Sequence, residues 1–172
     1  MKKHIVLIGL PGSGKTTVGR FVAERLQTEF VDIDTIILRK ESKPIALIFA
    51  EKGEAAFRAM EHREMEAALE QAASVIAPGG GWAVQPGNLE EARARCWLVY
   101  LKTKPETATA RAVPEDTRPM LHGDDPVARM RELLKEREAQ YLKADAVVET
   151  DRKTADEVAT EVTRLARSGA AW

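Results

Sequence analysis

The chain has almost no cysteine. The one it has, Cys96, cannot close an internal disulfide, which suits a reducing cytoplasm. Cys96 stands just before the apolar run Trp97-Leu98-Val99-Tyr100, where a buried thiol is expected rather than a nucleophile. Long hydrophobic runs are also missing. No stretch approaches the ~18 apolar residues of a membrane span, so no membrane partner is expected. Nor does charge of one sign prevail. Lys plus Arg number 26 and Asp plus Glu 27, for a net charge of −1. That balance supplies no global basic field for nucleic acid or an acidic membrane surface. Anions must then be recognised by a few placed arginines. There is no internal repeat and no low-complexity tract. The first residues run straight into an apolar strand that a cleaved leader would destroy, so none is expected. At 172 residues the chain fits one domain, 1–172, with room for a core and a lid. A cytoplasmic monomer is expected.

What is present begins at Gly9. Gly9-Leu10-Pro11-Gly12-Ser13-Gly14-Lys15-Thr16 is the full G-x-x-x-x-G-K-[ST] phosphate-binding pattern. It follows His4-Ile5-Val6-Leu7-Ile8, which reads as a buried strand, and precedes Thr17 to Leu26, which reads as a helix. In that context the glycines let successive backbone N–H groups converge on phosphates, and the helix start adds a favourable dipole. Gly12, Ser13, Gly14 and Thr17 belong to this cradle. Lys15 can reach the β- and γ-phosphates, and the Thr16 hydroxyl can ligate Mg²⁺.

Short apolar runs at 4–9, 29–33, 74–77, 97–101 and 145–149 alternate with helical patterns. The helices are expected at 15–26, 34–42, 44–70 with a break at Gly53, 105–112, 126–142 and 154–168. Strands spaced by helices predict an α/β fold with a parallel sheet covered on both faces. Ligands then gather outside the carboxyl ends of the strands. Residues 113–126, with three prolines and many charges, read as a loop and a lid candidate. The last residues, 168–172, are expected to fray.

Asp32 and Asp34 are placed i and i+2 on one strand face, so both carboxylates can point toward the phosphate loop. One near Mg²⁺ and one near an acceptor hydroxyl is what phosphoryl transfer needs. The competing reading makes Asp34 a helix N-cap. Arg58, Arg118 and Arg137 could clamp an anionic substrate or neutralise a transferring phosphoryl group. By spacing alone, solvated surface arginines are the commoner reading. Glu61 can hold Arg58 through an i,i+3 pair. Gly79-Gly80-Gly81 allows a ligand to approach bare backbone, or forms a plain turn. Phe49 and Phe57 are core residues or the wall of a pocket.

These motifs in order resemble the shikimate kinases, which are P-loop proteins of the nucleoside-monophosphate-kinase-like group. The motifs are GLPGSGKTTVGR from Gly9, FVDIDTII from Phe30, IFAEKGEAAFRAME from Ile48, GGG from Gly79, EDTRPML from Glu115 and REAQY from Arg137. The resemblance implies a three-layer α/β/α P-loop kinase fold with a five-stranded parallel sheet. It implies a substrate-binding helical region at about 34–61 and a lid at about 113–125. It implies Mg²⁺-dependent transfer of the γ-phosphoryl of ATP to the 3-hydroxyl of shikimate, within aromatic amino acid biosynthesis. Carried over by position, Lys15, Asp34 and Arg118 are catalytic. Thr16 and, through water, Asp32 serve the metal. Arg111 stacks on adenine and Arg118 reaches the γ-phosphate. Asp34, Arg58, Gly80, Gly81 and Arg137 hold the substrate. Three departures stand out. Ala77 occupies a position where the family usually has Ser or Thr. Pro78 is uncommon at its place, and Trp82 follows GGG where a small residue is usual. They keep open a kinase for another polyhydroxy acid such as gluconate. A catalytically silent nucleotide-binding module is the remaining alternative.

Overall fold

The computed structural model describes residues 1–112 and 125–172. Among them five strands form one parallel sheet: β1 (His4–Ile8), β2 (Phe30–Asp32), β3 (Val75–Ala77), β4 (Cys96–Lys102) and β5 (Ala146–Glu149). Their spatial order is β2-β3-β1-β4-β5. The central strand β1 sets Ile5 beside Val75 on one side and Trp97 on the other. The helices are α1 (Lys15–Leu26), α2 (Ile33–Glu41), α3 (Ile45–Leu69), α4 (Asn88–Ala92), α5 (Pro105–Ala112), α6 (Pro126–Tyr141) and α7 (Ala155–Gly169). A 3₁₀ turn at Trp82–Val84 and the five-residue α4 were not anticipated, being too short for a periodic signal.

Alternation along the strands makes the three layers. Ile5 and Leu7 pack with Val18 and Val22 of α1 and Val158 and Val162 of α7. Val6 and Ile8 pack with Met65 of α3 and Met130 and Leu133 of α6. Successive strand side chains point to opposite faces, so a strand buried on both reads as one apolar run. Cys96 opens β4 rather than preceding it, and burial pushes its thiol up to about 12, which makes it inert at neutral pH.

One expectation is met and one needs correction. Gly53 leaves helical geometry at φ 83° and ψ 168°, so it separates two helical stretches that run on as α3. The C-terminus does not fray. Ala170 is buried and its carbonyl accepts from the Lys3 N–H at 3.1 Å. The Trp172 indole N–H donates to the Lys3 carbonyl at 2.9 Å, with the Lys2 ammonium 4.6 Å from the ring centroid. The last residues are thereby tied to the strand that feeds the phosphate loop. Asp125 caps α6 by accepting from the Ala128 N–H at 3.0 Å. The rest of the lid candidate, and Arg118 within it, lies outside the described residues.

At the sheet's amino end, His4 is buried, and its Nδ1 accepts from the Ser74 N–H at 3.2 Å. Burial is the main force that lowers its pKa, with a smaller push from Arg95 and opposition from the Leu69 and Gln71 backbone. The imidazole is therefore held neutral in the fold and protonates more readily once unfolded. Its contribution is present above the unfolded value of about 6.5 and is lost as pH falls through the lower folded value. Urea unfolding between pH 7 and 5 should show stability declining with acid. In His4→Gln, which does not titrate, the slope should be shallower. Equal slopes would rule out this role for His4.

Candidate active site

The phosphate loop runs from the end of β1 into α1. Gly14 is the residue before the helix, at φ 93°. Gly12 has φ 77°, and a Cβ there would stand 2.1 Å from the Ala108 carbonyl oxygen, so α5 packs directly against the loop. The Lys15 ammonium is buried over the loop, donating to the carbonyls of Gly9 and Leu10 at 2.8 Å each and lying 3.4 Å from Ser13 Oγ. Thr17 points to solvent. Arg111, exposed near the end of α5, reaches Thr150 Oγ1 at 3.5 Å.

Asp32 ends β2 and joins the two halves of the site. Its Oδ2 accepts from the Thr16 hydroxyl at 2.8 Å, and its Oδ1 accepts from the Thr35 N–H at 3.2 Å. It is the N-cap of α2. This corrects the expected geometry of the aspartate pair. The chain turns into a helix directly after Asp32, so Asp34 is neither a strand residue nor the cap. It sits in the first turn of α2. The pair is nevertheless brought together: Lys15, Thr16, Asp32, Asp34, Ala77 and Pro78 line one cavity of about 240 Å³. Thr16 and Asp32 offer it hard oxygen donors suited to Mg²⁺. Among the described residues no group of three or more His, Cys, Asp or Glu side chains forms a closed metal cage.

A second recess adjoins the first through Asp34. Pro11, Ile45, Phe49 and Phe57 wall it, and Arg58, Glu61, Gly79, Gly80, Gly81 and Arg137 supply its polar lining. The two rings lie 4.7 Å apart, so Phe57 is both core and wall. Arg58 Nη1 donates to Glu61 Oε1 at 2.8 Å, the expected i,i+3 pair. Glu61 is 1 % exposed and Arg137 5 %, so neither is an ordinary surface charge. Burial raises the Glu61 pKa, Arg58 and the Gly79 backbone pull it down, and Asp34 pushes it up. Glu61 was legible only as Arg58's partner; its place in the recess depends on the glycine turn folding over it.

The glycines are required for that approach. A Cβ on Gly79 would lie 2.4 Å from Glu61 Oε2 and 3.1 Å from Asp34 Oδ1. On Gly81 it would lie 2.3 Å from Arg58 Nη2, and on Gly80 3.2 Å from Arg137 Nη1. Trp82 does not reshape the recess. Its ring is 2 % exposed and lies in the core with Leu89, Met130 and Tyr141. The 3₁₀ turn swings it behind the glycines rather than in front of them.

Gly12→Ala should lower both stability and nucleotide affinity. A left-handed φ costs an alanine roughly 1–2 kcal/mol, and the clash with α5 adds to it. Thermal unfolding should fall by about 5 °C or more. Titration with a fluorescent ATP analogue should show binding weakened at least about tenfold, since the loop's N–H groups lose their convergence. Unchanged melting and unchanged binding would contradict the packing described here.

The shikimate kinase family profile matches residues 11–167. The chain is 40% identical over 162 residues to a shikimate kinase of Caldanaerobacter subterraneus subsp. tengcongensis, covering 94% of this chain and 95% of that one. It is 42% identical over 174 residues to a shikimate kinase of Chlorobaculum tepidum, covering 95% and 91%. A shikimate kinase from Acinetobacter baumannii, solved in complex with shikimate, is similar at TM-score 0.93 and 37% identity, over 98% of this chain and 94% of that one. With the phosphate loop, the carboxylate pair and the arginine-lined recess set out in the family's order along the chain, the protein belongs to the shikimate kinase family.

Proposed function

We propose that this chain transfers the γ-phosphoryl group of ATP to the 3-hydroxyl of shikimate, giving shikimate 3-phosphate and ADP, in the cytoplasm and as a monomer. The observation that carries the reading is the pair of adjoining cavities. One is lined by the phosphate-loop residues Lys15 and Thr16 with Asp32. The other is lined by two arginines, a glutamate and three glycines, and Asp34 is common to both. A carboxylate at the junction of a phosphate site and a small-acid site is where a general base for hydroxyl phosphorylation belongs. The relative solved with shikimate bound supports the choice of acid.

The roles follow from chemistry. Arg58 and Arg137 hold the substrate carboxylate, since guanidinium matches carboxylate in a bidentate fork. Gly80 and Gly81 present backbone to the substrate. Asp34 orients the 3-hydroxyl and accepts its proton as that oxygen attacks the γ-phosphorus. The bond from phosphorus to the bridging oxygen breaks, and ADP leaves with that electron pair. Lys15 carries charge on the β- and γ-phosphates, and the amides of Gly12, Ser13 and Gly14 cradle them. Mg²⁺, held by Thr16 and through water by Asp32, would neutralise phosphate charge. Ala77 has no hydroxyl to share that outer shell, so Asp32 and Thr16 serve it alone. Arg111 lies against adenine. Arg118 supplies a cation to the γ-phosphate from a lid over 113–125, with 34–61 as the substrate-binding region.

Asp34→Asn removes the proton acceptor and should lower kcat by about 10²–10⁴-fold, with the KM for ATP unchanged. Arg58→Ala should raise the KM for shikimate at least about tenfold. A coupled ADP-release assay with ATP, Mg²⁺ and shikimate, quinate or gluconate measures both. Release with shikimate alone fits the reading. Normal turnover in either variant defeats that residue's role, and release only with another acid defeats the substrate.

A further inference from the structure

The glycine segment is anchored on the side away from the recess. Four successive carbonyls, from Gly79 to Trp82, each accept a hydrogen bond. The Trp82 backbone N–H donates to Gly79 O at 3.1 Å. The Tyr141 hydroxyl donates to Gly80 O at 2.6 Å. Gln85 Nε2 donates to Gly81 O at 3.1 Å, and Asn88 Nδ2 donates to Trp82 O at 2.9 Å. Glycine has the widest conformational freedom of any residue, so three in a row would otherwise sample many peptide orientations. Four bonds on four consecutive carbonyls remove that freedom.

Tyr141 differs from the other donors in where it comes from. It is fully buried, its ring lies 5.1 Å from that of Tyr100, and it ends α6. Arg137 stands four residues earlier on the same helix face. One turn of α6 therefore delivers both a guanidinium to the recess and the anchor for the recess backbone. The contact falls where precision counts. The peptide joining Gly80 to Gly81 is flanked by Arg137 beside Gly80 and Arg58 beside Gly81. In a trans peptide the N–H points opposite the carbonyl. Holding Gly80 O toward Tyr141 therefore turns the Gly81 N–H to the opposite side of that peptide, away from the Tyr141 hydroxyl.

We propose that Tyr141 is a positioning residue of the shikimate site. Its hydroxyl fixes the plane of the Gly80–Gly81 peptide so that the Gly81 N–H meets the substrate carboxylate alongside Arg58 and Arg137. This rests on the shikimate kinase reading above. Tyr141 touches no reacting atom. It acts on the ground state and the transition state alike, because the carboxylate is remote from the phosphoryl group. Its loss therefore belongs in KM for shikimate and not in kcat.

Tyr141→Phe keeps the ring and its packing and deletes the one donor. Expected are a KM for shikimate raised about tenfold, a kcat within about threefold of wild type and an unchanged KM for ATP, with a fall of a few degrees in melting temperature from the buried Gly80 carbonyl left without its donor. A merely structural tyrosine would instead lower the melting temperature while leaving the KM for shikimate unmoved or disturbing both substrates together, and that result overturns the proposal. So does a KM for shikimate within twofold of wild type. If Tyr141→Phe does not accumulate as soluble protein, Gln85→Leu, which frees the next carbonyl from a half-buried position, is held to the same split. Wild-type protein that turns over no shikimate sinks the activity reading and this inference with it. Wild-type turnover with no split in the variants sinks this inference alone.

Discussion

The two oxygens of Asp32 hold the phosphate end and the acceptor end of the site in register. One oxygen takes the hydroxyl of Thr16, the residue that closes the phosphate loop. The other takes the Thr35 N–H and so starts α2. An N-cap is worth about 1 kcal/mol to a helix. Here its larger effect is geometric. It turns the chain from strand to helix in a single residue, which sets Asp34 in the first turn of α2, facing the same cavity as Lys15 and Thr16. A carboxylate placed by a helix turn is held more firmly than one on a loop.

A concentration of buried charge depends on that frame. Glu61 and Arg137 are nearly excluded from water and Arg58 is largely so, and burial, with a smaller push from Asp34, drives the Glu61 pKa upward against the pull of Arg58. Buried ion pairs seldom repay their desolvation as stability. Their retention here is better explained by recognition. Glu61 fixes Arg58 Nη1 through an i,i+3 contact at 2.8 Å, while the exposed Glu54 carboxylate stands 3.5 Å from Nη2. The glycines complete the arrangement by taking up no room. At each of the three, a Cβ would collide with, or press tightly on, a charged side chain of the site. The segment is small where it meets charge and tethered where it meets the core.

Much of this was legible in the residues. The phosphate loop is a contiguous pattern whose meaning depends only on its flanking strand and helix, and both are where periodicity puts them. Strand and helix bounds fell within one or two residues because both-face burial leaves unbroken apolar runs such as Trp97–Leu101. The failures have physical causes too. Asp32 and Asp34 suit a strand face equally well by spacing, and only the cap bond to Thr35 decides that the strand stops at Asp32. Trp82 was suspect because of its size beside the glycines, yet a 3₁₀ turn rotates it into the core. The terminal residues read as a frayed tail until Trp172 meets the Lys3 carbonyl.

The sequence by itself determined the phosphate-binding element, the alternation of strand and helix, and the order of the family's motifs. All of these are local patterns, and local patterns survive without knowledge of contacts. The tertiary structure alone decided that Arg58 of α3 and Arg137 of α6 line one recess, that Tyr141 fastens Gly80, and that Glu61 is buried beside Asp34. Each of these joins segments far apart in the chain. Their meeting is fixed by the strand order β2-β3-β1-β4-β5, which brings the carboxyl ends of β1, β2 and β3 side by side. No spacing rule along a chain encodes that order, because it follows from which faces must be buried against which.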